Sequence, residues 1–215
     1  MTIIAAPLLI DQQHLVLDAV SWEFYERVLD EVADRLLRIT FHQGRMEIMP
    51  PLPEQEFAKT AVGGLVEIVA LEWNIPMRRF GSATFRREDT QGGLEPDECY
   101  YLANEDKVRG MKRFDPAIHP APDLAIEIDI TRRSVPRQPI YAGLGVPELW
   151  RYNGKRLTIL LLEDDGTYIP SVNSPSFPKL PMDQFEQFVH RMESDEEQTS
   201  VLRAFRDWIR ALPTP

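Results

Sequence analysis

Three carboxylates in this chain of 215 residues have types and spacing suited to chemistry: Asp97, Glu127 and Asp129. Two of them lie in Pro122 to Ile130, read Pro-Asp-Leu-Ala-Ile-Glu-Ile-Asp-Ile, whose alternation predicts a strand. Leu124, Ile126, Ile128 and Ile130 share one face of it, and Asp123, Ala125, Glu127 and Asp129 the other. Side chains two residues apart on one face leave the backbone roughly 7 Å apart, so Glu127 and Asp129 repel unless something positive is near. The acidic face either looks at water or holds a cation. By the same reasoning, removing Glu127 relieves repulsion and spares the fold.

Asp97 joins these two if its own strand lies beside theirs. A hard cation such as Mg²⁺ is held by one or two carboxylates, with water and substrate phosphate completing the shell. It would stabilise charge on a phosphodiester and acidify an attacking water. A cationic side chain nearby would hold that water or stabilise the transition state. Arg137, a few residues past the acidic strand, is the candidate. Plainer readings stand beside this one: exposed acids are common on the wet face of a sheet. Glu47 shares a strand face with Arg45 and can form a charge pair with it. Tyr141 and Trp150 read as core or rim aromatics, and His42 and His119 as surface residues beside turns. Neither a glycine-rich phosphate loop, a Ser-His-Asp arrangement nor a His-Glu-x-x-His helix occurs.

The elements that must position these groups follow from periodicity. Residues 1–20 read as an extended arm, followed by a helix from Trp22 to Ala33 capped by Ser21. Leu36 to Phe41 and Arg45 to Met49 predict a hairpin turning at Gln43-Gly44, and Glu54 to Trp73 a helix lying on a sheet. Short strands are expected at Met77 to Phe80, Ala83 to Arg87 and around Cys99 to Leu102, with the stretch at Gly92-Gly93 a polar loop. Pro139 starts a short helix ending at Gly145. Val146 to Tyr152 and Arg156 to Leu162 pair around Asn153-Gly154, and helices from Met182 to Met192 and Glu197 to Leu212 close the chain. That order implies an α/β fold with a mixed sheet covered by helices. It divides into an arm (1–20), a core domain (21–165) and a C-terminal extension with acidic helices packed on the core (166–215).

The net charge of −10 argues against a general polyanion binder. From Pro76 to Arg137, however, 11 basic and 11 acidic residues cancel. The basic ones, among them Arg78, Arg79, Arg86, Arg87, Arg109, Arg132 and Arg133, are either dispersed and paired with nearby acids or gathered in a groove. Cys99 is the only cysteine, which excludes an internal disulfide and a zinc-cysteine cluster. The apolar run Ile3 to Ile10 is too short to span a bilayer, and a cytoplasmic protein without a membrane anchor is expected.

Several segments taken together resemble the Uma-two family. They are Gly44-Arg45-Met46-Glu47-Ile48-Met49-Pro50-Pro51 before a helix containing Glu56, then Glu95-Pro96-Asp97, Pro122-Asp123-Leu124-Ala125-Ile126-Glu127-Ile128, and Tyr141-Ala142-Gly143-Leu144-Gly145-Val146-Pro147-Glu148-Leu149-Trp150. The likeness runs from about Ser21 to Leu162. That family belongs to the restriction-endonuclease-like PD-(D/E)XK superfamily and is abundant in cyanobacteria. The resemblance implies a mixed sheet flanked by helices, a Mg²⁺-dependent DNA endonuclease site in which Mn²⁺ can substitute, and a homodimer. By position, Asp97 matches the first metal-binding aspartate, Glu127 the glutamate of D/E-x-K, and Glu56 the glutamate of the first core helix, expected as a third metal ligand beside them. Asp129 stands where the lysine belongs, and Arg137 would supply the cation from the following helix. Arginine keeps the charge but cannot act as a base near neutral pH. The alternative is therefore a catalytically weak or inactive nuclease fold that serves as a nucleic-acid-binding or interaction module.

Overall fold

A computed structural model describes residues 14–32, 35–130 and 133–214. Ile3 to Ile10 and most of the expected arm, Ala33 at the end of the first helix, and Arg132 of the basic set lie outside the described residues. Strand β1 (Leu15–Leu17) leads to helix α1 (Trp22–Glu31), where the Ser21 hydroxyl accepts from the Phe24 amide at 3.2 Å as an N-cap should. The hairpin β2 (Arg38–His42) and β3 (Arg45–Met49) turns at Gln43 and Gly44, both at positive φ, the backbone of a tight two-residue turn. Helix α2 (Pro53–Glu72) begins with proline in its first turn and buries Ala58, Ala61, Val62, Leu65, Val66 and Val69, while Phe57, expected on that face, is exposed.

Next come β4 (Arg78–Arg79), β5 (Phe85–Arg87), β6 (Gly92–Leu94) and β7 (Glu98–Tyr101), then the acidic strand β8 (Leu124–Ile128). Helix α3 (Gln138–Leu144) ends at Gly145 in the left-handed region, φ +80°. It carries the chain across to β9 (Glu148–Tyr152), which runs parallel to β8, and β10 (Leu157–Leu162) and β11 (Tyr168–Ser171) follow antiparallel. Helices α4 (Met182–Glu193) and α5 (Gln198–Ala211) complete the fold.

The strands form two sheets, ordered β1-β3-β2-β6-β5 and β11-β10-β9-β8-β7-β4. The largest core lies between one face of the second sheet and helices α2, α4 and α5, where Ile126, Trp150, Leu65, Phe185 and Phe205 meet. On the opposite face α3 packs Ile140, Tyr141 and Leu144 against Cys99, Ala125 and Leu149. Under the first sheet, Trp22 and Tyr25 of α1 cover Ile39, Phe41 and Met46. The architecture is the expected α/β arrangement, but with two sheets.

Three local expectations change. The second face of β8 is not wet: all five of its residues are buried, because a parallel β8–β9 pair needs a crossover, and α3 covers the face that the alternation left open. Gly92-Gly93 is a strand and not a loop, since the Tyr25 ring lies so close to Gly93 that any side chain there would run into it. The edge strand β11 went unread because Pro170 sits in it, a residue an edge tolerates.

No described helix is long and apolar enough to cross a membrane. Phe205, fully buried against α2 and α4, makes α5 part of the main core. Phe205→Ala is expected to cost about 3–5 kcal/mol, read as a lower midpoint in urea unfolding.

Candidate active site at the seam of the two sheets

Asp97 immediately precedes β7, and the β7–β8 register that sets Glu98 opposite Ile126 brings Asp97 level with Glu127. The two acids expected to act together thus come from adjacent strands. Asp97 is completely buried and Glu127 is 3 % exposed. Two carboxylates cannot be buried side by side without compensation, and three arginines supply it. Arg38, on β2 of the other sheet, donates to Asp97 Oδ1 through Nη1 and to Glu56 Oε1 through Nη2. Arg137, at the N-cap of α3, sets Nη2 2.9 Å from Glu127 Oε1 and donates also to the Glu95 carbonyl and the Thr40 hydroxyl. Arg133 reaches in from the connection after β8.

Arg133 Nη2 has an unusual position. It lies 3.4 Å from Asp97 Oδ2, 3.5 Å from Glu127 Oε2 and 3.4 Å from the Ile128 carbonyl oxygen. Two carboxylates and one carbonyl therefore converge on a single positively charged atom, the kind of oxygen donor set that a hard cation takes with water and phosphate. Among the described residues no group of three or more His, Cys, Asp or Glu is placed to hold a metal. The set reaches three donors only through the Ile128 carbonyl. Its chemistry fits a magnesium-type ion, with a guanidinium nitrogen standing at the point such an ion would take.

The other expected site residues lie around this point. Glu56, in the first turn of α2, is joined to Asp97 through Arg38, and its second oxygen is 3.2 Å from Lys59 Nζ. Asp129 pairs with Arg151 of β9. Glu127, Asp129, Arg133, Arg137 and Arg151 line one cleft of 680 Å³. Glu127 and Asp129 do share a side of the chain as read, and arginines neutralise them, Arg133 and Arg137 at Glu127 and Arg151 at Asp129. Of the remaining basic residues, Arg79 pairs with Glu67 and Glu98, Arg86 with Glu26, Arg87 with Asp89 and Arg109 with Glu105, while Arg86, Arg87, Lys112 and Arg113 line a second cleft that includes neither Asp97 nor Glu127.

Sequence reasoning missed Arg38 and Arg133 as site residues and misjudged Glu47. Glu47 does not pair with Arg45, which binds Asp18 at 3.1 Å. Glu47 is buried and its Oε1 accepts from the Ser134 amide at 2.7 Å, pinning the segment that carries Arg133. Tyr141 is in the core as expected, yet its hydroxyl donates to Glu127 Oε1.

Burial and the nearby Asp97 raise the pKa of Glu127 above the ordinary carboxylate range, against the pull of Arg137, Arg133 and the Tyr141 hydroxyl. Burial alone would lower the pKa of Arg137, but Glu127, Tyr141 and Asp97 together more than offset it, so the guanidinium stays charged. Tyr141 is held neutral by burial and by Glu127, which keeps its hydroxyl a donor.

Residues 22–193 match the family Uma2, described as "Putative restriction endonuclease". Comparison with curated proteins gives no match. Among solved structures, a protein from Anabaena variabilis ATCC 29413 described as "a putative nuclease belonging to DUF820" superposes with a TM-score of 0.42 at 11% identity, over 78% of this chain and 90% of that one.

The network reverses the expectation that losing Glu127 is harmless. Glu127→Ala leaves Arg137 buried without its carboxylate, and breaking a buried pair in this way typically costs about 3–5 kcal/mol. The melting temperature of Glu127→Ala should fall well below wild type in metal-free buffer; an unchanged value would restore the repulsion argument.

Proposed function

The chain belongs to the Uma2 family of restriction-endonuclease-like proteins, matched over residues 22–193, and on that basis we propose that it is a Mg²⁺-dependent DNA endonuclease. The observation that carries this reading is the convergence of Asp97, Glu127 and the Ile128 carbonyl on one cation-occupied point beside the cleft. Those three groups would hold the ion. Mg²⁺, or Mn²⁺ in its place, would supply Lewis-acid stabilisation of phosphate charge and a more acidic water.

The chain's own residues divide the rest of the work. Arg137, clamped by Glu127, Thr40 and the Glu95 carbonyl, is held where a fixed positive charge can neutralise phosphate oxygens as the transition state forms. Tyr141 orients Glu127. Arginine cannot accept the proton of the attacking water near neutral pH. That proton goes to Asp129, the part-exposed carboxylate in the cleft lining. Glu56 acts at a distance, holding Arg38 against Asp97. DNA enters by the cleft, and a homodimer would offer two such sites to one duplex.

A second reading keeps the fold as a binding module without turnover. What favours it is that arginines already neutralise the buried acids.

Supercoiled plasmid separates the two. Wild type with Mg²⁺ or Mn²⁺ should convert it to open circles, and Asp97→Asn or Glu127→Gln should slow this by about 10²–10³-fold or more, the scale on which removing one stabilising group acts. Arg137→Ala should lose a similar factor. Absence of nicking in wild type, or equal rates in all four proteins, would leave the module.

A further inference from the structure

Resting on that reading of the site, we propose that Arg133 is a built-in competitor for the metal: its guanidinium fills the cation point and must swing into the cleft before a divalent ion can bind. The geometry distinguishes Arg133 from its neighbours. Arg137 approaches Glu127 at 2.9 Å and also holds a backbone carbonyl. Arg133 Nη2 is shared among three oxygens at 3.4 to 3.5 Å, beyond the usual 2.7–3.2 Å of a hydrogen bond. Among the described residues its Nη1 finds only the Met49 sulfur, at 3.8 Å, and its Nε, like that of Arg137, is buried without a partner. A guanidinium with five donors and no short bond is weakly held, although the charge it cancels is large.

Somewhere to go is also at hand. Arg133 lines the 680 Å³ cleft with Asp129 and Arg151, so the side chain can leave the acids without crossing the core. Its backbone stays in place, because the neighbouring Ser134 amide is bonded to Glu47 at 2.7 Å. Exchange replaces one positive charge with two beside Asp97 and Glu127. The exchange therefore has an electrostatic driving force, while the protein without metal never exposes a bare pair of acids to its own interior. Once in the cleft, the guanidinium faces the path of an incoming phosphate.

A ligand whose binding-competent state is only fractionally populated binds correspondingly more weakly. Removing the competitor should therefore tighten metal binding. Calorimetric titration of Mn²⁺ is expected to give an affinity about tenfold or more higher for Arg133→Gln than for wild type, and no binding for Asp97→Asn. Without metal, Arg133→Gln should melt below wild type, and Mn²⁺ should raise its melting temperature by more than it raises that of wild type. A measurement on the unaltered protein covers the case in which the variant fails to fold. Phenylglyoxal, read by mass spectrometry, should leave Arg133 unmodified without metal and label it at saturating Mn²⁺. Equal Mn²⁺ affinity in wild type and Arg133→Gln, or no gain in labelling while Mn²⁺ is bound, overturns the competitor role and leaves the metal site standing. Failure of all three proteins to bind Mn²⁺ overturns both.

Discussion

The structure depends on the cost of burying Asp97. A carboxylate with no exposure to water, one strand away from a second buried acid, is tolerated only if positive groups surround both. Those groups come from every direction: Arg38 from the five-stranded sheet, Arg137 from the start of α3, and Arg133 from the connection between β8 and α3. The need to neutralise two acids thus ties the two sheets together. It also explains why residues that bear no chemistry are fixed so firmly around them, such as Thr40, Tyr141 and the main chain at Glu95.

Polar pinning of this kind gives position more than stability. The apolar cores on either side of the second sheet supply the non-directional part of the fold's stability through burial. What they cannot do is set the angle of a carboxylate. Glu127 is held by a hydroxyl and two guanidinium groups, and Asp97 by two guanidinium groups and the Ile128 amide at 2.7 Å. Such a set of directional contacts restricts the acids to a narrow range of geometries, which the proposed ion site would require.

Much of this was legible in the sequence, and the misses share a cause. Helices α1, α2, α4 and α5, the two hairpins and α3 follow from periodicity and turn chemistry, which are local. Asp97, Glu127 and Arg137 stood out through their motifs, and the structure brings all three together. Arg38 and Arg133 did not. Each pairs with residues that only the tertiary fold brings near, and neither sits in a pattern that marks it as buried. The covered face of β8 was missed for a related reason, since alternation looks the same whether water or a helix lies over the polar side. At Gly93 the glycine signalled close approach of another group and not a turn, a distinction that needs Tyr25 in place to be seen.

The span of these contacts along the chain has a consequence for how the protein folds. Arg38 and Asp97 are 59 residues apart, Glu47 and the Ser134 amide 87, and Thr40 and Arg137 97. Closing loops of that length is entropically costly and gains little until both sheets exist, so the charged seam belongs late on the folding route, after hairpins and helices have formed by short-range contacts. The same order read backwards makes the seam an early place for the native state to open. A chain that has loosened there keeps its apolar layers while its acids and arginines meet water separately, and the geometry of the seam is then lost before the secondary structure.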